Sequence, residues 1–372
     1  MSQNRATVTP ITDRSAWDRT VDSLAGHPLQ LWGWGATKAR GAWQATRYRV
    51  DDADGTPIGA AQVLVRPLPL PFRALAYAPR GPVAVPGREA EVLAALRDRV
   101  AADHRPVVLS IEPDVDADSD AERGLLAAGR LVRGSSPILI PSTLVFDLTR
   151  TEDELLADAT KKTRQYIRKS GREDLVFRAI TPAELDRCLA VYRQTAERAG
   201  FGLHTDDYYR GLYEDQGDSA AVFAAFHGET VVAFLWLAVS GTTAFELYGG
   251  MNDEGQRTRA NYALKWHAIT AMRERGVTRY DVNGLLNDGV SQFKEGFASH
   301  RDTLTGTWDL PLSPLYPVYA RAMPLARTVA KRARPAAKAA LTRAVPAARR
   351  VVGGAVPAVR SLVSTARSRS GR

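Results

Sequence analysis

Residues 220–248 read AAVFAAFHGETVVAFLWLAVSGTTAFELY, and this stretch decides the fold class. It contains three strand-length apolar runs, and residues 227–229 (HGE) form a turn between the first two. The pattern then predicts a helix over residues 261–275 and a fourth strand over residues 277–282. Strands that alternate with a helix in this way predict an α/β protein with a mixed sheet.

The same order of elements occurs about 170 residues earlier, which indicates an internal duplication. The earlier copy comprises strands 45–50, 58–65 and 74–77, helix 89–103 and strand 107–111. Equivalent positions keep a nearly constant spacing, as for Tyr77 with Tyr248 and Glu112 with Asp281. We therefore expect two tandem domains, residues 1–148 and 149–312, followed by a tail, residues 313–372.

This order of elements resembles the GNAT acyltransferase core, in which a splayed mixed sheet leaves a cleft for an acyl donor. GNAT domains that bind coenzyme A carry a Q/R-x-x-G-x-G/A loop, whose backbone N–H groups hold the pyrophosphate. The second half instead has residues 256–261 (QRTRAN), and the first half has residues 86–89 (PGRE). Because the glycines are missing, we expect no coenzyme A site and no other cofactor.

Several further motifs support a more specific resemblance. They are residues 31–34 (LWGW) with Lys38, 77–82 (YAPRGP), 110–113 (SIEP), 161–169 (KKTRQYIRK), 198–201 (RAGF), 280–284 (YDVNG) and 293–297 (FKEGF). Together they resemble the FemABX family, which transfers an amino acid from aminoacyl-tRNA to the stem peptide of a peptidoglycan precursor. The resemblance spans residues 29–310 and fits the shorter members, because the long coiled-coil arm of some members is absent.

The net charge of +9 is unevenly distributed along the chain. Residues 310–372 contain 13 Lys or Arg and no Asp or Glu, which leaves 37 basic and 41 acidic residues before them. Such a basic block predicts an anionic partner, and an interfacial anchor on anionic lipid is the favoured interpretation. Binding of tRNA and a disordered solubilising tail are the alternatives. The first tail helix, about residues 316–334, is a candidate to pack on the first domain.

The implied reaction is aminolysis of an ester, which requires positioning and oxyanion stabilisation more than a strong base. Lys294, between Phe293 and Phe297, is the predicted cation near the oxyanion or the substrate phosphates. The alternative for this segment is an aromatic hairpin with a snorkelling lysine. Asp281 is a candidate proton acceptor or a turn cap, and substrate-assisted proton transfer needs neither. Tyr248 is predicted to reach a substrate oxygen.

The resemblance also predicts residues that contact the cell-wall precursor. Lys38, Arg80 and Arg198 are candidate phosphate contacts, because lysine offers a point charge and arginine a bidentate fork. Trp34 belongs to the tryptophan motif of the same region. Glu112 is a substrate-binding candidate, although a cap of the following turn is the favoured interpretation.

A predicted helix over residues 158–172 places four cations on one face: Lys161, Arg164, Arg168 and Arg172. Like charges at this spacing repel each other unless an anion neutralises them. The acceptor stem of tRNA supplies such an anion, so these residues are the predicted tRNA contacts. An exposed basic helix face is the alternative.

We therefore expect a cytoplasmic, monomeric, membrane-associated aminoacyltransferase with glycyl-tRNA as the default donor. Cys188 as the single cysteine and an N-terminus without an apolar run favour a reducing compartment. Six scattered histidines predict no metal site. The alternatives are an acyl-CoA-dependent N-acyltransferase and a non-catalytic basic adaptor that tethers RNA to membrane.

Overall fold

The computed structural model describes residues 6–134, 137–286 and 289–323. The chain divides into a body, Met1–Tyr316, and a second unit, Pro317–Arg372, of which residues 317–323 are described and helical. The prediction of a tail helix that packs on the first domain therefore lies mostly outside the described residues. No helix within the described ranges combines the length and the apolar character needed to cross a membrane.

The described helices are α1 (Arg14–Ser23), α2 (Trp32–Ala39), α3 (Glu89–His104), α4 (Asp120–Ala127), α5 (Glu152–Asp158), α6 (Lys161–Ser170), α7 (Leu185–Ala199), α8 (Asp206–Gln216), α9 (Asp253–Thr258), α10 (Ala260–Glu274) and α11 (Gly289–Glu295). The first eight strands are β1 (Thr7–Pro10), β2 (Gln44–Asp51), β3 (Pro57–Pro67), β4 (Ala74–Pro79), β5 (Val83–Ala84), β6 (Val108–Glu112), β7 (Val132–Arg133) and β8 (Ser142–Thr143). The others are β9 (Val145–Asp147), β10 (Val176–Ala179), β11 (Ala220–His227), β12 (Thr230–Val239), β13 (Thr243–Met251), β14 (Arg279–Asp281), β15 (Asp302–Thr303) and β16 (Trp308–Pro311).

The first sheet has the order β1-β2-β3-β4-β6-β16-β7, with β5 paired to β3. Its neighbours run antiparallel except β4 and β6, which are parallel and are connected through α3. Helix α3 buries Val92, Leu93 and Leu96 against the apolar face of this sheet. This arrangement matches the elements predicted for the first half to within a few residues.

The second sheet repeats the pattern with the order β10-β11-β12-β13-β14-β9. Its one parallel pair is β13 with β14, and α10 is the crossover helix between them. One face packs against α10 and the other against α7 and α8, so β12 is buried along almost its whole length. The predicted duplication of an α/β unit with a mixed sheet is therefore confirmed.

Each of the two sheets includes one strand that lies outside its own repeat in the chain. Strand β9, which precedes the second repeat, pairs with β14 in the second sheet. Strand β16, which follows the second repeat, pairs with β6 in the first sheet. The chain therefore crosses between the sheets twice. Cys188 lies on the buried side of α7, and burial raises the pKa of its thiol to about 12, so it behaves as apolar filler.

Candidate functional site

Lysine 38 lies between two aromatic rings at the contact of helices α2 and α8. Its Nζ is 4.1 Å from the centre of the Trp34 ring and donates a 2.9 Å hydrogen bond to Tyr208 Oη. Both rings offer negative π-faces to the ammonium group, which holds its charge in a half-buried position. The structure thus brings together Trp34 and Lys38, as predicted, and adds Tyr208 from the second half of the chain.

The close approach of α2 and α8 depends on a glycine within the tryptophan motif. A Cβ atom at Gly33 would stand 2.5 Å from the carbonyl oxygen of Asp215, so only glycine allows this packing. The Asp215 carboxylate also accepts a 2.9 Å hydrogen bond from Thr37 and forms a 2.7 Å ion pair with Arg40. These contacts fix Trp34 and Lys38 relative to the second domain.

Tyrosine 248 extends the same site from within β13. Its ring lies 5.1 Å from Tyr209 and 5.7 Å from Tyr192, and its hydroxyl shares a hydrogen bond with Tyr208. Burial and the neighbouring tyrosines raise the pKa of Tyr248 well above its usual value. Tyr248 therefore remains a neutral hydroxyl at neutral pH, able to donate or accept a hydrogen bond. The prediction that it faces a substrate stays a prediction.

A bulge in β13 sets the orientation of Tyr248. In the pairing of β12 with β13, Trp236 is opposite Tyr248 but Leu237 is opposite Glu246. Leu247 is therefore the extra residue of the bulge. A bulge increases the local twist and redirects the side chains on either side of it. Tyr248 and Glu246 consequently serve two different sites.

Lysine 294 belongs to helix α11 and not to a hairpin, so the hairpin alternative is wrong. Its Nζ donates to the carbonyl oxygens of Asn283 and Gly284, the latter at 3.2 Å. Both residues have positive φ angles, and this turn directs their carbonyl groups towards the ammonium. The aromatic flank exists as predicted, because Phe293 packs at 5.4 Å from Phe297.

A buried ion pair lies beside these aromatic residues, and it was not predicted from the sequence. Lys265 of α10 and Glu246 of β13 form a 2.6 Å contact with side chains that are 3% and 7% exposed. Tyr280 Oη also donates to Glu246 at 2.8 Å, and Lys265 Nζ lies 5.3 Å from the Phe293 ring centre. A lysine at the centre of a helix resembles a surface residue in sequence, and the signal that could have revealed its burial is the apolar pair Ala268 and Ile269, three and four residues further along the same face.

A charged cluster connects the two halves of the body at the ends of β4, β6 and β14. Arg279 binds Asp114 through two hydrogen bonds of 2.8 and 3.2 Å, and Arg80 lies close enough to act electrostatically on Asp114 and Asp281. Ligand atoms of His27, Asp114 and Asp281 lie within 4.8 Å of one another. Two arginines therefore face two carboxylates and one imidazole.

Burial and the arginines shift the pKa values of this cluster in different directions. Burial raises the pKa of Asp281, while Arg80 and Arg279 oppose that rise. Burial lowers the pKa of His27 to about 3, so its imidazole is neutral and its Nδ1 accepts a hydrogen bond from the backbone N–H of Leu29. For Asp114, burial is outweighed by Arg279, His27 and Arg80, which lower its pKa.

The positions of Arg80 and Asp281 give no support to the roles predicted for them. Arg80 is 2% exposed and its nearest anions are carboxylates, so the structure offers no approach for a substrate phosphate. Asp281 is fully buried and accepts hydrogen bonds from Thr143 Oγ1 and from the backbone N–H of Asn283 at 2.8 Å. The turn-cap interpretation of Asp281 is therefore the one that its contacts match.

Glutamate 112 and Arg198 also act within the protein. Glu112 is 1% exposed and accepts hydrogen bonds from Tyr77, Thr307 and the backbone N–H groups of Ile138 and Leu139. It therefore holds the segment between the two domains, and its carboxylate is saturated. Arg198 is exposed but donates to the carbonyl of Met251 at 2.8 Å, at the end of β13.

Helix α6 presents the predicted basic face with two corrections. Thr163, Ile167 and Ser170 are buried, as expected from the spacing. Arg164, however, is half-buried and donates to the carbonyl groups of Ala157 and Ala159, so it caps helix α5 instead of facing solvent. Arg172 lies two residues beyond the end of α6 and not on the helix, as the prediction had it. Within the described ranges, no carboxylate lies within ion-pair distance of Arg172 or of the exposed cations of the helix, which are Lys161, Lys162, Arg168 and Lys169.

Arginine 259 joins this basic surface at the beginning of α10. Its guanidinium lies 3.7 Å from the ring centre of Tyr166 in α6, and its φ angle of 57° is unusual for a residue other than glycine. The preceding segment forms helix α9, in which the N–H groups of Gly255, Gln256 and Arg259 already donate within the segment. At the position of the pyrophosphate-binding loop of coenzyme A enzymes, this protein therefore has a short helix in which these N–H groups are already paired.

The fold and these sites together define a tandem GNAT-type acyltransferase. A sequence family described as the acetyltransferase (GNAT) domain matches residues 157–295. The lipid II:glycine glycyltransferase of Staphylococcus aureus (strain USA300) is 23% identical over 388 residues, covering 80% of this chain and 91% of the relative. The crystal structure of FemX superposes with a TM-score of 0.75 at 20% identity, covering 84% of this chain and all of FemX.

The resemblance to the FemABX family that the motifs predicted is confirmed by these two matches. A more distant fold likeness is the C-terminal domain of a putative lysylphosphatidylglycerol synthetase from Agrobacterium fabrum. It has a TM-score of 0.53 at 12% identity and covers 84% of this chain and 96% of that domain. The fold is thus shared with proteins of low sequence identity.

Proposed function

We propose that this protein is a tRNA-dependent aminoacyltransferase that adds an amino acid, glycine by default, to the stem peptide of a lipid-linked peptidoglycan precursor. The relative from S. aureus is named for glycyl transfer to lipid II. The observation that carries the tRNA dependence is the surface formed by α6, Arg172 and Arg259, where at least five exposed cations have no carboxylate partner among the described residues.

The uneven pairing of charges supports this interpretation. Elsewhere in the described part of the chain about half of the exposed arginines have an acidic partner, such as Arg193 with Asp206 and Arg187 with Glu229. Cations that remain unpaired on one surface repel each other until an external polyanion neutralises them. Tyr166 and Arg259 add flat π-surfaces on which an unpaired base of an acceptor end can stack.

The Trp34–Lys38–Tyr208–Tyr248 site is the proposed acceptor site. Lys38 supplies a charge for a phosphate of the precursor, held at a fixed place by two aromatic rings. The hydroxyl groups of Tyr208 and Tyr248 supply neutral hydrogen-bonding groups for the peptide or sugar. Residues of both domains contribute, so the acceptor would lie across the domain boundary.

The reaction requires few protein groups. The neutral amine of the stem peptide attacks the ester carbonyl, the C–N bond forms, and the carbonyl oxygen becomes an oxyanion. The ester C–O bond then breaks, and the ribose oxygen leaves with the proton that the amine loses. Lys294 is the proposed cation near this oxyanion, and the Asn283–Gly284 carbonyl groups hold its ammonium in place.

The test is transfer in a defined mixture. The protein is incubated with a set of charged tRNAs and lipid-linked precursor, and the product is weighed by mass spectrometry. We expect a mass increase of one amino acid that depends on tRNA and disappears after ribonuclease treatment. Acetyl-CoA replaces charged tRNA in a parallel reaction, and acetylation of the precursor would contradict the proposal.

A further inference from the structure

One edge of the first sheet collects several exposed features. The β3–β4 hairpin turns there, since Pro67 pairs with Ala74. Trp43 immediately precedes β2, whose first residue Gln44 pairs with Val65 at the same edge. Strand β16 ends there too, because Pro311 pairs with Val108.

The hairpin loop, residues 66–73 (RPLPLPFR), is apolar and exposed. Leu70 is 86% exposed, the highest value among the large apolar side chains of the described residues. Pro67, Pro69 and Pro71 around it are also exposed. Surface loops usually carry polar residues, so an apolar projection of this kind marks a contact site.

The loop is also preordered. Leu68 donates its backbone N–H to the carbonyl of Arg73 at 2.7 Å, and Phe72 donates to Pro69 at 3.1 Å. The φ angles of Pro67, Pro69 and Pro71 are each fixed by the proline ring. Little conformational entropy is therefore lost when Leu70 enters an apolar environment.

Basic residues flank this apolar tip without any acid. Arg66 and Arg73 are exposed and bracket the loop, and no carboxylate lies within ion-pair distance of either in the described part of the chain. The Arg66 guanidinium lies 5.9 Å from the ring centre of Trp43, which is half-buried. An apolar tip, two flanking arginines and a half-buried tryptophan match the depth profile of an anionic bilayer surface.

We propose that the loop of residues 66–73 inserts Leu70 into the headgroup region of an anionic phospholipid membrane. Arg66 and Arg73 contact lipid phosphates, and Trp43 lies at the level of the interface. This contact is additional to any role of the tail. It would place the first sheet edge on the membrane, and α2, which carries Trp34 and Lys38, ends four residues before Trp43.

The test uses a fluorophore at the tip of the full-length protein. Cys188 is fully buried, so a Leu70→Cys variant takes an environment-sensitive label at the new thiol alone. Val176, which is 57% exposed in the second domain, gives the matched control Val176→Cys. Vesicles contain phosphatidylglycerol with phosphatidylcholine, or phosphatidylcholine alone. We expect a blue shift and quenching by lipid-attached quencher at position 70 with phosphatidylglycerol, and no response at position 176.

Sedimentation with the same vesicles measures the strength of the contact. Leu70→Ser and the double variant Arg66→Glu/Arg73→Glu are each expected to weaken binding roughly tenfold, from the loss of apolar burial or of charge attraction. Val176→Ser and Arg19→Glu, also exposed, are the matched controls. A label at position 70 that stays in water while the protein binds vesicles, or unchanged binding by Leu70→Ser, would overturn the proposal. A response that follows protein concentration without lipid would indicate self-association and would also overturn it.

The result is separable from the proposed enzymatic function. Transfer to a soluble, nucleotide-linked stem peptide is expected to be unchanged in the loop variants. Absence of any transfer by the wild type would count against the proposed function and leave the vesicle result standing.

Discussion

Lys38 and Tyr208, 170 residues apart in the chain, are joined by a 2.9 Å hydrogen bond across the contact of α2 and α8. The bond links the tryptophan motif of the first domain to a helix of the second. The first domain therefore contributes to the site in which Tyr248 lies, and neither GNAT domain contains the whole of the proposed acceptor site.

Replacing Lys38 tests this site. Lys38→Met removes the charge and keeps the length of the side chain. We expect the KM for the wall precursor to rise roughly tenfold to a hundredfold, because a hydrogen bond to a charged group contributes about 1.5–3 kcal/mol. The KM for charged tRNA should not change. An equal effect on both substrates, measured by steady-state kinetics, would contradict the assignment of Lys38 to the acceptor.

Replacing Lys294 tests the cation near the oxyanion. We expect Lys294→Met to lower kcat by roughly a hundredfold, since one oxyanion donor contributes about 3 kcal/mol to the barrier. Because the ammonium also binds two carbonyl groups, the melting temperature should fall by a few degrees. Single-turnover kinetics and thermal unfolding measure the two effects.

A turn variant separates these two roles of Lys294. In Gly284→Ala the new Cβ stands 2.7 Å from Ile140 Cδ1 at a residue with a φ angle of 61°, so the turn is strained while Lys294 is intact. If this variant loses as much activity as Lys294→Met at the same loss of stability, the lysine acts through the turn alone. Full activity in Lys294→Met would remove it from the mechanism.

The buried pair of Lys265 and Glu246 makes a prediction about stability. Lys265→Met leaves the Glu246 carboxylate without its cation in a site where the side chain is 7% exposed. Removal of one partner of a buried pair costs about 3–5 kcal/mol. The double variant Lys265→Met/Glu246→Gln should recover most of this loss, because the amide keeps an acceptor for Tyr280. Urea unfolding measures both, and a single variant within about 1 kcal/mol of wild type would refute the prediction.

The sequence predicted the fold well because the fold depends on patterns that are local. The strands of both halves are continuous apolar runs with turn residues between them, and these are visible without tertiary information. The prediction for α6 succeeded for the same reason, since Thr163, Ile167 and Ser170 follow helical spacing. Arg164 departs from it, because its partners belong to the neighbouring helix α5.

The site was predicted less well because its contacts join distant residues. Nothing near Arg80 in the sequence shows that its guanidinium is buried beside Asp114 and Asp281. His27 and Tyr208 carried no motif, and their roles follow only from which elements meet. Charged residues have the same sequence appearance on a surface and in a buried network, so the pairing in the fold decides their role.

The exposed cations of α6 and the neighbouring Arg172 predict the salt dependence of tRNA binding. Arg168→Glu/Arg172→Glu should raise the KM for charged tRNA and leave the KM for the precursor unchanged. The slope of log affinity against log salt should decrease by about 1.5, because two phosphate contacts are lost. Arg19→Glu is a control for net charge. Arg164→Glu is less suitable, since it also removes the cap of α5, and a selective effect on the precursor would show that the two sites are interchanged.

The neutral imidazole of His27 predicts how stability depends on pH. Its pKa is about 3 in the folded protein and near 6.5 in the unfolded chain, so between these values the unfolded state binds the extra proton. Stability contributed by His27 is therefore lost as the pH falls below 6.5. Between pH 7 and pH 5 the loss amounts to about 2 kcal/mol in the free energy of unfolding. Asp281, whose pKa is raised by burial, acts in the opposite direction, because its native form binds a proton at pH values above the usual carboxyl pKa.

The variant His27→Asn isolates this contribution. Asparagine keeps an oxygen acceptor for the backbone N–H of Leu29 but does not titrate. We expect its free energy of unfolding, measured by urea titration, to fall by about 2 kcal/mol less between pH 7 and pH 5 than that of the wild type. His227, whose side chain is 43% exposed, provides the control His227→Asn, which should retain the wild-type dependence. Equal pH dependence in wild type and His27→Asn would mean that His27 is protonated in the folded protein, and Asp114 and Asp281 would then be its counter-ions.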